Sequence, residues 1–421
     1  MQTIKKIWWD IYMITILKRD SLWVPVILVL SLIGCWSELD LYAPSFPLMM
    51  SFYKTSESVI QLTLSLNFLG FFSASLLVGP LADALGRRPI ILWGTLLFVI
   101  GSAACAWAPT IEFMLLGRFI QGMGMSAPVI VCQALITDIY EGTKRMKVLA
   151  CINSAITIII ALAPIIGVYL TDNFGWRSNF FAIFFAAIFG LAFIWLLIPE
   201  THEPQKRTSF AKTNLIKNYA ILLKSKDFLM PVLAMCFFLT PYFILIGIMP
   251  LLFMQQLGVS IQHYAFYQGS VVALVSALSL SIPLLMARFD ISKLVGMSTW
   301  LSLGALFSAF VMSLFIPDNP KIIIIFMWIY IAGITIPPTF LFVSAMDKFP
   351  ELRASASSMI QSIRMFTMAI GTALCGLLYN GTFMPVVFIM LIFILSASFI
   401  TMLILRRRAM MTKALQHFPV I

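Results

Sequence analysis

Twelve long apolar stretches, separated by short polar breaks, fill most of this 421-residue chain. They lie near residues 22–49, 59–81, 90–108, 113–138, 148–170, 179–198, 229–253, 264–287, 292–316, 321–346, 356–380 and 383–405. A helix needs about 20 apolar residues to cross a hydrocarbon core about 30 Å thick, so the pattern predicts twelve membrane-crossing helices. The longest polar stretch, residues 199–228, opens P-E-T-H-E-P-Q-K-R-T-S and separates six segments from six. The expected layout is therefore an arm (1–20), a six-helix bundle (21–198), a linker (199–228), a second six-helix bundle (229–405) and a basic tail (406–421). In the arm, Ile7, Trp8, Ile11, Tyr12 and Thr15 recur at helical spacing, which predicts a helix lying on the membrane surface. The apolar run behind the arm outlasts a signal peptide, so no cleavage is expected.

Composition agrees with this pattern. The chain is 61% hydrophobic and 11% charged, with a mean hydropathy of +0.99, whereas soluble domains carry about 25% charged residues. Its net charge of +11 is distributed by topology. Only Lys54, Arg177 and Lys321 fall in one set of loops, and Arg118 and Arg364 fall inside spans. Every other one of the 28 Lys and Arg lies in the arm, the linker, the tail or the opposite loops. The positive-inside rule puts those basic segments, and both termini, in the cytoplasm. The basicity thus suits anionic lipid, and nucleic acid is not an expected partner. Cys35, Cys105, Cys132, Cys151, Cys236 and Cys375 fall in spans without paired spacing and read as small apolar residues.

Charged residues within spans are the candidates for chemistry. The stretch S-E-L-D-L-Y-A-P-S-F-P interrupts the first span with Glu38 and Asp40. At 100° per residue these two carboxylates point about 200° apart, unless Pro44 and Pro47 distort the helix. Arg118 lies inside the fourth span, where insertion scales charge an arginine about 2.5–3.5 kcal/mol. It needs a wet cavity or a partner, and either Asp40 or Glu38 would serve. For Arg364, snorkelling to lipid phosphate is a sufficient account at this level. The connection G-P-L-A-D-A-L-G-R-R-P, with Gly79 and Gly86 bracketing a tight turn, places Asp83, Arg87 and Arg88 where they can form a charge cluster with Asp138. Such ion pairs can hold one helix arrangement and release in another. Gly122, Gly124, Pro164 and Gly167 read as close-packing or hinge positions, and Ile336-Pro337-Pro338 reads as a break. Asn67, Gln121, Gln133, Asn153 and Gln361 are polar groups able to face a cavity.

The 79–88 connection resembles the signature between the second and third helices of the major facilitator superfamily. L-L-G-R-F-I-Q-G-M-G (115–124), with Arg118, Gln121, Gly122 and Gly124, resembles the fourth-helix motif of its drug:proton antiporters. A-L-A-P-I-I-G-V-Y-L (161–170) is similar to the fifth-helix motif of exporters, with Ala163 where a glycine is usual. D-L-Y-A-P-S-F-P closely matches the first-helix signature D-x-Y-x-P-x-x-P of the Bcr/CflA subgroup, and F-G-W-R-S-N-F-F (174–181) fits the start of its sixth helix. The resemblance implies two bundles rocking about a central site, with Asp40 at the position of the subgroup's acid. Glu38 has no counterpart in it. Leu22 to Gly34 lacks the extra acid of some multidrug relatives, which counts against strongly cationic cargo.

No G-x-x-x-x-G-K-[ST] is present, so no P-loop nucleotide site is expected. His202-Glu203 begins like a zinc motif, but position 206 is Lys. No cofactor, metal or catalytic set is expected. The expectation is a monomeric, proton-coupled transporter of a bacterial-type inner membrane. In it Asp40, Arg118 and Glu38 handle the proton, the 79–88 connection gates, and small amphipathic drugs or metabolites are exported. A siderophore or other metabolite carrier on the same fold, running in either direction, and a non-transporting receptor or scaffold are the alternatives.

Overall fold

The computed structural model describes residues 23–202, 207, 215–316 and 318–417. The expected surface arm (1–20) lies outside them. Among the described residues twelve helices are long and apolar enough to cross a membrane. They are α1 (Trp23–Tyr53), α2 (Glu57–Leu85), α3 (Arg87–Ala106), α4 (Ile111–Ile139), α5 (Gly142–Phe174), α6 (Arg177–Leu197), α7 (Lys226–Gln256), α8 (Ile261–Arg288), α9 (Ile291–Phe315), α10 (Pro320–Met346), α11 (Arg353–Leu378) and α12 (Phe383–His417). Most overrun the apolar stretches, because backbone hydrogen bonding continues into polar flanks where side chains can satisfy the free N–H groups. Thus the Thr110 hydroxyl accepts from Phe113 N at the start of α4, and Asp290 accepts from Lys293 N at 2.9 Å at the start of α9. Within the polar 199–228 stretch, Leu215–Lys224 is also helical. It buries Leu222 and pins itself to α2 when Tyr219 donates to the Leu76 carbonyl at 2.7 Å. Burial there pushes the Tyr219 phenol up to about 12.

Proline sets the irregularities. The α1 backbone tightens to a 3-10 turn over Ala43–Ser45, at Pro44. The α10 axis breaks between Ile334 and Pro337, as the Ile-Pro-Pro run predicts. Pro164, by contrast, sits inside an unbroken α5. Gly122 and Gly124 of α4 and Gly167 of α5 are contact points. A side chain at Gly122 would strike the Asn67 backbone of α2, one at Gly124 the Phe98 backbone of α3, and one at Gly167 the Leu41 carbonyl of α1. In lipid, where apolar contact alone does not drive helices together, such close approach is what holds them.

The halves meet along α2 and α11 through Ser58 with Gly376 O (2.5 Å), Ser65 with Thr372 (2.8 Å) and Ser75 with Ser362 (2.6 Å). At one face the molecule is sealed. Phe46 and Met49 of α1 and Leu251, Leu252 and Phe253 of α7 are wholly buried, and Gln256 donates to Glu57 at 3.1 Å. At the other face, which carries the basic connections, α2, α4 and α11 part around a cavity of about 360 Å³ lined by Gly79, Asp83, Gln133, Thr137, Ser357 and Ser358. We expect Gly122→Leu to lower stability by about 1–3 kcal/mol through overpacking. Gly304→Leu, which points into open space, serves as a near-neutral control. Thermal unfolding in detergent measures both.

Candidate functional site

The ideal-helix geometry of Glu38 and Asp40 holds in the folded chain, and it sends the two acids to different partners. Glu38 turns inward to its own bundle. Its Oε2 accepts from Arg118 Nη1 at 3.0 Å, with both side chains almost wholly buried (2% and 0% exposed). Arg118 also donates to Gln121 Oε1 and, through Nε, to the Thr63 carbonyl at 3.3 Å. Its guanidinium stacks 4.3 Å from the Tyr42 ring centre. Around this centre Gln121 donates to Ser102 at 2.9 Å, Tyr42 bonds Thr63 at 3.1 Å, and Asn67 donates to the Arg118 carbonyl at 3.4 Å. The pair therefore bolts α1 to α4 and ties in α2 and α3. Arg118 meets Glu38, the acid without a family counterpart, and the direct partnership with Asp40 that sequence left open does not form.

Asp40 faces the other way. It is 4% exposed, and Gln268 of α8 donates to its Oδ1 at 3.1 Å. Tyr264, one turn away on α8, donates in turn to Gln268 Oε1. This acid is thus held across the boundary between the halves by neutral groups alone. Gln268 and Tyr264 are absent from the sequence-based candidates, though their polar spacing of four on a membrane helix is a readable signal. Tyr42 sits inside the quoted D-L-Y-A-P motif.

At the basic face Arg87 bonds Asp83 at 2.5 Å and Asp138 at 3.0 Å, joining α2, α3 and α4. Arg88 leaves this cluster and donates to the Trp195 carbonyl of α6 at 2.5 Å. The turn is made by Gly86 (φ +110°) alone, whereas Gly79 lies inside α2 and faces Ser358 of α11. The sequence candidates also omit Glu200. Its carboxylate accepts from Arg87 N, Arg88 N, Thr201 N and His202 N at 2.9–3.3 Å and meets Arg207 at 3.6 Å. It caps α3, where an anion complements the helix dipole. An acid immediately after the last apolar residues of a span is the sequence signal for it.

Among the remaining candidates, Gln133 lines the basic-face cavity, Asn153 is exposed and Gln361 is half-buried on α11. Gly167 packs α5 against Leu41 of α1, and Pro164 is buried within α5. The cysteines show no disulfide among the described residues. Five are buried and Cys151 is exposed. Among the described residues no cluster of His, Cys, Asp and Glu is arranged to hold a metal.

The family profile described as Major Facilitator Superfamily matches residues 27–372. The chain belongs to that superfamily. Among its relatives are the bicyclomycin resistance protein homolog of Haemophilus influenzae and the multidrug resistance protein MdtL of Shewanella oneidensis. The first is 26% identical over 367 residues, covering 83% of this chain and 88% of that protein. The second is 30% identical over 268 residues, covering 63% and 67%. A D-xylose-proton symporter structure shares the fold, with a TM-score of 0.73 at 16% identity over 90% of this chain and 97% of that one. This superfamily member is thus a multi-pass transporter of a bacterial inner membrane, similar to proteins named for bicyclomycin and multidrug resistance.

The Glu38–Arg118 centre makes a direct prediction. Glu38→Gln leaves a buried guanidinium without its counter-charge and is expected to cost about 3–5 kcal/mol. Adding Arg118→Met to it removes the stranded charge and should restore much of that loss. Unfolding of the purified single and double variants in detergent gives both numbers.

Proposed function

We propose that the chain exports small amphipathic drugs or metabolites in exchange for protons, by alternating access, and that Asp40 carries the proton. One observation supports this above the others. Asp40 is a buried acid near the middle of α1, held across the boundary between the halves by Gln268, with no cation beside it among the described residues. Losing its charge weakens a hydrogen bond that joins the halves, because bonds to ionised acceptors are the stronger kind. Protonation is thereby linked to the seal between α1 and α8.

In this reading Arg118 does not titrate. Paired with Glu38, it fixes the α1 backbone on α4 and so holds Asp40 toward α8. The basic face is cytoplasmic, as the positive-inside rule requires, and the sealed face is periplasmic. The structure is then the inward-open state. The Asp83–Arg87–Asp138 cluster, with Glu200 capping α3, holds the inner ends of the first bundle as one rigid block while the second bundle rocks against it. One charge crossing about 150 mV supplies roughly 3.5 kcal/mol, enough for a gradient of about 300-fold. Cargo of the kind named in the relatives, bicyclomycin and other drugs, fits this scheme. Neither bond-making chemistry nor a second copy is needed for it, so the chain acts as a non-enzymatic monomer.

Asp40→Asn is expected to abolish substrate-driven proton flux in liposomes while leaving downhill substrate exchange intact. Normal coupling in this variant would make Asp40 structural and leave Glu38 as the candidate. A second test uses the sealed face. In a Cys151→Ser background, Glu57→Cys with Gln256→Cys should form a disulfide readily, stop transport, and regain it on reduction. Transport that continues with the bond in place would rule out opening at this face.

A further inference from the structure

Two arginines lie deep in the spans, and only one of them is neutralised. Arg364 stands nine residues into the apolar span that opens at Ser355, roughly 14 Å along an axis crossing about 30 Å of hydrocarbon. That is too far from the helix end for snorkelling, so the sequence-based account of this residue does not hold. Among the described residues its guanidinium enters no ion pair, hydrogen bond or ring contact. Its Nε is enclosed without an acceptor, while the terminal nitrogens keep contact with open space. No acid is available to it nearby. Apart from Asp227 in the first turn of α7, nine residues or about 14 Å along the axis before Cys236, the spans of the second half contain neither Asp nor Glu. Glu38 is held by Arg118, and Asp40 is held by Gln268.

The open space that Arg364 meets is traceable along α11. Ser357, Gln361 and Arg364 stand at i, i+4 and i+7 on one face. All three are half-buried, whereas Ala356, Ser358, Ile360, Ser362 and Met365 around them are buried. The lipid side of the same helix, marked by exposed Phe366, Ile370, Leu374 and Leu377, lies about a third of a turn away from Arg364. Ser357 lines the 360 Å³ cavity at the basic face. The stripe therefore climbs from that cavity to a cation without a counter-ion. Beyond it, on α7, Cys236 is within electrostatic reach of Arg364 and Tyr242 within that of Asp40, six residues or about 9 Å apart along the helix. Trp36, one turn from Asp40, presents an indole N–H that has no acceptor.

We propose that Arg364 binds the carboxylate of the transported compound, so that the cargo includes small amphipathic organic acids. A guanidinium presents a planar fork matched to a carboxylate. The α7 positions within electrostatic reach of Arg364 and of Asp40 stand about 9 Å apart along the helix, the span of one or two aromatic rings. The inference rests on the exporter reading above, because it assumes that the cargo path runs between the halves.

Matched acids and amides test it: benzoate with benzamide, 1-naphthoate with 1-naphthamide, and biphenyl-4-carboxylate with its amide. Binding to the full-length protein in lipid nanodiscs is measured by tryptophan fluorescence. At least one acid is expected to bind tenfold or more tightly than its amide. Arg364→Gln should erase that preference without lowering the melting temperature or the amide affinity, and Arg364→Lys should keep part of it. If no acid outbinds its amide, or if the preference survives Arg364→Gln, the inference is wrong. Proton flux in liposomes separates the two claims. Amides that drive flux without any acid preference leave the exporter standing and overturn only the role of Arg364. An acid preference without flux from any compound keeps Arg364 as the anion site and overturns the exporter.

Discussion

A charge in hydrocarbon must be neutralised, solvated or put to use, and the interior of this protein is organised by how it meets that demand. Arg118 is neutralised by Glu38 and wrapped by Gln121, Thr63 and Tyr42, which makes it the bolt of the first bundle. Asp40 is given neutral hydrogen bonds from the opposite half instead of a cation. Arg364 is given nothing from the chain itself among the described residues. Neighbouring helices thus carry one compensated pair and two charges of opposite sign whose compensation has to come from outside. For the proposed exchange of a proton and a second solute, that division is a physical basis for having two separate loads.

The architecture was legible because lipid imposes a strict rule on sequence. Length of apolar run, loop charge and the polar 199–228 stretch were enough for twelve spans, since each backbone group in the bilayer must be satisfied within a helix. The proline break in α10 and the glycine contacts of α4 were readable for the same reason. What could not be read was direction around an axis combined with the neighbour found there. Helical geometry separated Glu38 from Asp40 correctly, but only the packed bundle decides which of them meets Arg118. The same gap hid the capping role of Glu200. Its place at the end of a span is readable, but its partners at Arg87 and Arg88 are backbone N–H groups more than a hundred positions away, and which helix start it caps does not show in a motif.

Local signals also misled where tertiary packing overrode them. Gly79 and Gly86 look like two ends of one turn, yet only Gly86 has the positive φ that a turn requires. Gly79 is instead a contact glycine on the seam with α11. Arg87 and Arg88 look like a matched basic pair, but consecutive helical side chains diverge by 100°. One therefore meets Asp83 and Asp138 while the other reaches the Trp195 carbonyl.

The hydroxyl pairs between α2 and α11 have a consequence for motion. Ser65, Ser75, Ser362 and Thr372 each bond across the seam, and each also has an acceptor on its own helix. These are Gln61 O at 3.3 Å, Phe72 O at 3.0 Å, Ser358 O at 2.8 Å and Met368 O at 2.8 Å. Each hydroxyl has a single proton, so within a pair one donates across the seam and the other to its own helix. When the two helices slide or part, the donor across the seam turns to the carbonyl already within its reach, and none of these four hydroxyls is stranded in lipid. The seam is therefore specific in register yet nearly free of electrostatic friction. It behaves as a bearing, adhering in any position the rocking halves adopt and resisting none of them strongly.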